Sequence, residues 1–141
     1  MNEPGNDSFQ IQSLYSKYCF ALDGNNPEWL IECFAPEGIF QVAERQFQGV
    51  EQLSMVARSG DNRPRHHYAN LWIKSIQGNQ AQASAYFFLV NLADGATCGY
   101  GHYDDDMVRG ADGLWRFQHR RVTFLWQSEA YKARTTSITK K

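Results

Sequence analysis

The chain has 141 residues, enough for one domain with a core and a ligand cavity. Its formal charge of -1, with the two signs interspersed, excludes the basic footprint that nucleic acid or an anionic membrane surface requires. Three cysteines without C-x-x-C spacing, and no apolar run near Met1 or long enough to span a bilayer, point to reduced thiols in a soluble, cytoplasmic protein.

Residues 1–7 are polar, contain Pro4 and Gly5, and read as a flexible start, with Ser8 able to cap a helix beginning at Phe9. From Phe9 the residues Ile11, Leu14, Tyr15, Tyr18, Cys19 and Leu22 recur at three- and four-residue intervals, one face of an amphipathic helix. Asp23-Gly24-Asn25-Asn26-Pro27 stops that helix, and Pro27 starts a short second one through Phe34. Two short strands come next, around Gly38 to Val42 and Arg45 to Gln48, then a third helix from Val50 to about Arg58 and a loop over Gly60 to Pro64. Long strands are predicted from His66 to Ile76, Ala81 to Val90, Thr97 to Arg109 and Leu114 to Trp126. Gly78-Asn79, Ala93-Asp94-Gly95 and Gly110-Ala111-Asp112-Gly113 separate them with hairpin chemistry. From Ser128 the tail is polar and basic without a period. Helices first and hairpin-linked strands last is the α+β order, a curved, largely antiparallel sheet wrapped around N-terminal helices. A sheet of such strands must curl, leaving a conical cavity.

Several residues in this frame can carry chemistry, and each has a structural alternative. Asp23 lies in a turn sequence, where an aspartate ordinarily caps or turns the chain. His66 and His67 are adjacent on a strand and must face opposite ways. Strict alternation puts His66 with Tyr68, Asn70 and Trp72, and His67 with Leu71 and Ile73, so the apolar partners favour His67 as the buried ring. Tyr15 and Tyr18 lie on the buried helical face and are first of all core residues. His102 reads as a strand histidine or a second acid, and Arg120 and Arg121 face opposite ways, one able to meet an anionic group. Asp104-Asp105-Asp106 reads as a solvated edge, because no H-x-H, H-E-x-x-H or cysteine pair completes a metal set. No phosphate loop or serine-nucleophile motif occurs.

The chain resembles the SnoaL-like branch of the nuclear transport factor 2-like superfamily over roughly Phe9 to Trp126. The resemblance is carried by Tyr18 to Asp23, Asp23-Gly24-Asn25, Phe34-Ala35-Pro36-Glu37-Gly38, Gly49-Val50-Glu51, His66-x-x-x-Asn70 and Asp112-Gly113-Leu114-Trp115-Arg116-Phe117, in that order. It implies a cystatin-like α+β barrel. Within the superfamily the chain is similar to the dehydratase type: scytalone dehydratase, bile-acid dehydratase and hexachlorocyclohexane dehydrochlorinase. These employ an Asp-His dyad without metal or organic cofactor. Carried over by position, the dyad is Asp23 and His66, with Tyr18 and Asn70 as substrate contacts. On this point the resemblance favours His66 where alternation favours His67.

The expected function is therefore a cofactor-free lyase or isomerase on a small hydrophobic, oxygenated molecule. Two alternatives of another class stand beside it: a non-catalytic small-molecule-binding protein, and a structural subunit like the β subunit of ring-hydroxylating dioxygenases. Tyr86, Phe88, Trp72 and Phe124, spread over the strands, are more apolar surface than three helices can cover, which predicts a homodimer or homotrimer.

Overall fold

The computed structural model describes residues 4–58 and 63–133. The first helix, α1 (Pro4–Asp23), buries its predicted face completely: Ile11, Leu14, Tyr15, Tyr18, Cys19 and Leu22 are all in the core, while Phe9 and Phe20 point away. It starts earlier than its periodicity suggested, so residues 4–7 are helical and not a loose lead-in. Proline fits a first helical turn, whose amides need no partner inside the helix. Asp7 is also tied to the sheet, accepting hydrogen bonds from Arg109 Nη1 at 3.1 Å and Trp115 Nε1 at 2.9 Å.

The short helix α2 (Pro27–Glu32) is capped by Asn26, whose Oδ1 accepts the Trp29 amide at 3.1 Å. Strand β1 (Phe34–Val42) begins four residues before its predicted start, because Phe34 already pairs with Phe117 and the strand passes an irregularity before Ile39. Strand β2 (Arg45–Gln48) and helix α3 (Gly49–Ala57) come after it. The long strands are β3 (Arg65–Gln77), β4 (Gln80–Val90), β5 (Thr97–Arg109) and β6 (Trp115–Gln127), close to prediction. Gly78, Gly95 and Gly113 take positive φ in the hairpin turns. The predicted loop residues 60–62 and the end of the tail, residues 134–141, lie outside the described residues. The start of that tail is ordered by chemistry the period missed: residues 129–133 form a helical turn. Ser128 Oγ accepts the Tyr131 amide at 3.2 Å, and the Tyr131 ring packs against Phe124.

The six strands form one sheet in the order β2-β1-β6-β5-β4-β3, antiparallel except for the parallel β1–β6 pair. The inner face carries Ala81, Ala83, Ala85, Phe87, Leu89, Tyr103, Met107, Phe117 and Val122, all buried and in one core cluster with α1. Phe124, expected among the residues left uncovered, belongs to that inner side and meets Phe87 edge-on.

Bulges decide which side chains reach this face. In β3, three residues from Ala69 to Trp72 span two on β4, and Asn70 takes a left-handed φ of 55°. One extra residue reverses the alternation beyond it. His66 and Tyr68 therefore lie on the same face as Leu71 and Ile73, which strict alternation had separated. Gln118 is the extra residue in β6, between the Met107–Phe117 and Asp106–His119 pairs, and it turns Arg120 inward. Leu125 is another, and there the backbones approach so closely that a Cβ on Gly101 would sit 1.9 Å from the Thr123 carbonyl oxygen.

Candidate active site

Asp23 is the last residue of α1, where the helix presents its unsatisfied carbonyls and the negative end of its dipole. A carboxylate there needs compensation, and two arginines from the start of β3 and its lead-in supply it. Arg63 Nη1 donates to Leu22 O at 3.0 Å and to Ala57 O at 3.2 Å, joining the ends of α1 and α3. Arg65 Nη1 donates to Asp23 O at 3.2 Å.

These ties bring Asp23 to the first turn of β3. Its Oδ1 lies 2.7 Å from His66 Nδ1, and the His66 amide donates to the same carboxylate at 3.0 and 3.2 Å. Three contacts to one carboxylate fix both partners, with the two side chains only 12 % and 13 % exposed. With Nδ1–H donating to Asp23, the lone pair sits on Nε2, which has no hydrogen-bond partner among the described residues. Burial lowers the His66 pKa below its ordinary value; Asp23 opposes the shift, and Arg63 and Arg120 add to it. The ring is thus held neutral, the form a general base requires.

Tyr18, one turn before Asp23, stands edge-on to the His66 ring with centroids 6.2 Å apart. Burial raises its pKa well above the ordinary value, so the phenol stays protonated and has a hydrogen to donate. Beyond it lies a cluster that sequence reasoning largely missed. Arg120 and Asp105 have wholly buried side chains, with Arg120 Nε 3.3 Å from Asp105 Oδ1. The guanidinium carbon is 3.6 Å from the Tyr103 ring centroid, 4.1 Å from Tyr18, 4.3 Å from Phe117 and 4.6 Å from Tyr15. Tyr15 donates its hydroxyl to Asp105 Oδ2. Burial pushes the Asp105 carboxyl up to about 6, against the pull of Arg120.

Asp105 therefore corrects the reading of Asp104-Asp105-Asp106 as a solvated edge. Asp104 and Asp106 do point outward, but Asp105 shares its parity with Tyr103 and Met107, and that shared parity was the available signal. Tyr103 was not singled out at all. It is 1 % exposed on the inner face, and its hydroxyl makes no hydrogen bond among the described residues.

The remaining candidates are not brought to the dyad. His67 is exposed on the outer face, stacked on Phe88 at 4.8 Å. Asn70, turned by its own bulge, lines an outer groove of about 330 Å³ together with Trp72, Lys74, Tyr86, His102 and Asp104. His102 is paired there to Asp104 at 3.0 Å. These placements correct the expectation that Asn70 shares a face with His66. Cys19, Cys33 and Cys98 are buried and unbridged, and burial pushes the first two thiols up to about 12. Among the described residues no group of three or more His, Cys, Asp or Glu side chains could hold a metal ion, and no helix is long and apolar enough to cross a membrane.

N-terminal helices packed on a six-stranded, largely antiparallel sheet make up the cystatin-like fold that solved neighbours, one of them described as nuclear transport factor 2-like, share with this chain. Within it, the SnoaL-like domain model matches residues 6–121, and the chain belongs to that family. Rv3472 of Mycobacterium tuberculosis superposes with a TM-score of 0.84 at 20% identity, covering 94% of this chain and 91% of that one. A cystatin-like protein of Nostoc punctiforme gives 0.82 at 21% identity, covering 92% and 99%. A hexachlorocyclohexane dehydrochlorinase, LinA-type3 of Novosphingobium barchaimii, gives 0.71 at 15% identity, covering 86% and 88%. No curated protein matches the sequence.

Proposed function

We propose that the protein is a cofactor-free lyase or isomerase of the dehydratase type, acting on a small, hydrophobic, oxygenated molecule. The single observation that carries this is the 2.7 Å Asp23–His66 contact, with Nε2 without a hydrogen-bond partner among the described residues. His66 Nε2 takes a proton from carbon beside a carbonyl or leaving group. The C–H electron pair becomes the new double bond, and the leaving oxygen departs with its own pair, collecting the proton from the imidazolium as water. Asp23 holds the ring and stabilises the imidazolium, and Tyr18 donates to the substrate oxygen. The aromatic lining supplies binding, and a dehydrochlorinase on the same fold accords with elimination chemistry. The base, its orienting acid and the donor all come from the chain, so the reaction so written draws on no cofactor.

The test is a panel of small cyclic β-hydroxy ketones and β-halo analogues in D₂O, followed for loss of the leaving group and for deuterium at the acidic carbon. Neither elimination nor exchange above the His66→Ala background would sink the reading. With an active compound in hand, kcat/KM should fall on acidification through the free-enzyme titration of His66. Because burial lowers that pKa, the half-maximal point is expected below the ordinary histidine value of about 6.5. A midpoint above it would mean that another group is the base.

We also propose self-association through the outer sheet face. Trp72 is 64 % exposed, Leu125 61 % and Tyr86 58 %, large apolar side chains on the long strands that a lone domain rarely leaves wet in such number. Sedimentation at micromolar concentration should give a dimer or trimer, and Trp72→Glu should shift it toward monomer. A wild-type monomer would refute the proposal.

A further inference from the structure

Buried polar atoms without a partner are rare in native structures, because each costs about 1–3 kcal/mol of unrecovered desolvation. Among the described residues they concentrate in one place. Arg120 Nε, Nη1 and Nη2, Tyr103 Oη and Asp105 Oδ1 are all buried and none makes a hydrogen bond, although Arg120 Nε and Asp105 Oδ1 face each other as an ion pair at 3.3 Å. The Asp105 carboxylate is close enough to balance the charge of Arg120 but is not aligned to accept its N–H groups, and its other oxygen is taken by Tyr15. The four aromatic rings attract the guanidinium through their faces, yet they accept none of its in-plane hydrogen bonds. The result is a guanidinium fork without hydrogen bonds, lying over the ring of Tyr103, whose own hydroxyl makes none either. Tyr18 is the shared wall between this cluster and the dyad, its ring against Arg120 on one side and edge-on to His66 on the other.

We propose that Arg120 and Tyr103 seat a carboxylate of the ligand, so that the molecule presented to the dyad is a small aromatic or alicyclic acid. The inference rests on the reading of the dyad as the reacting centre and adds the class of its substrate. A planar carboxylate is the group whose geometry matches a guanidinium fork, and burial strengthens the match. Asp105, poised by burial near 6, can take up a proton as a second anion arrives, keeping the cluster close to neutral. Arg120 and Tyr103 are ligand-binding here, whereas Asp105 and Tyr15 are positioning residues that hold the arginine.

The experiment compares cinnamate, 2-naphthoate and cyclohexanecarboxylate with their methyl esters, binding measured by calorimetry and by protein NMR shifts. The expected result is that at least one acid binds about tenfold or more tightly than its ester, equivalent to about 1.4 kcal/mol. Tyr103→Phe removes only an unpartnered hydroxyl, so it should fold normally and weaken the acid severalfold while leaving the ester unchanged. Arg120→Lys keeps the charge but loses the fork, and should erase most of the preference for the acid. Equal binding of acids and esters, no binding of any acid, or an unaltered preference in folded Tyr103→Phe would each overturn the proposal. His66→Ala should still bind the acid. Acid preference retained while turnover survives His66→Ala would remove the dyad reading and leave the anion seat standing. Turnover that depends on His66 without any acid preference would do the reverse.

Discussion

On a compound that the wild-type protein turns over, His66→Ala and Asp23→Asn are each expected to lower kcat by about a hundredfold or more, with a much smaller change in ligand affinity. The two variants fail for different reasons. His66→Ala removes the proton acceptor while Asp23 still accepts the amide of residue 66, so the helix end and strand start stay joined. Asp23→Asn retains shape and one acceptor oxygen, but its amide can face Nδ1, which draws the ring into the tautomer with the proton on Nε2. The base is then blocked by its own hydrogen. Asp23→Asn should also lower the His66 pKa further, since the carboxylate is what opposes burial there, and an NMR titration of the ring reads that shift independently of turnover. Turnover within threefold of wild type in both folded variants would rule out the dyad.

How the sequence encodes this site differs from residue to residue. The helical face of α1 was legible because period 3.6 is unbroken from Ile11 to Leu22, so Tyr15, Tyr18 and Asp23 could be placed from the sequence alone. The hairpins were legible because turn chemistry is local. The faces of β3 and β6 were not, since a bulge is one residue of mismatch between two strands and leaves no period of its own. Asn70 was therefore read as a neighbour of His66, although its own left-handed backbone sends it outward. Alternation favoured His67 because it carries no sign of the bulge after Ala69, whereas family spacing pointed to His66, the ring that meets Asp23. Arg120 reaches the interior only because Gln118 is extra. Asp105 escaped for another reason: three consecutive acids suggest water, and composition outweighed a parity that placed the middle one between Tyr103 and Met107.

That buried pair sets the largest expected effect on stability. Arg120→Met leaves the Asp105 carboxylate in the core without its cation, and breaking a buried ion pair from one side costs about 3–5 kcal/mol. Asp105→Asn combined with Arg120→Met removes both charges, leaves Tyr15 an acceptor, and should recover most of that loss, because a neutral pair of similar volume has no ionic desolvation to offset. The deficit of the single variant should also depend on pH. Arg120 is what holds the Asp105 carboxyl down toward about 6, so in Arg120→Met its folded-state pKa rises further above the unfolded value. A carboxyl with a raised folded pKa contributes its stability below the unfolded pKa, about 3.9, and loses it as pH rises through the folded pKa. The gap between Arg120→Met and wild type should therefore be widest at pH 8 and smaller at pH 5, levelling off below about 6, where the wild-type carboxyl protonates as well. Urea denaturation of the wild type, the single variants and the double variant at both pH values measures it directly. A single variant as stable as the double at pH 8, or a gap that widens on acidification, would show that Arg120 and Asp105 are not an ion pair in the folded protein.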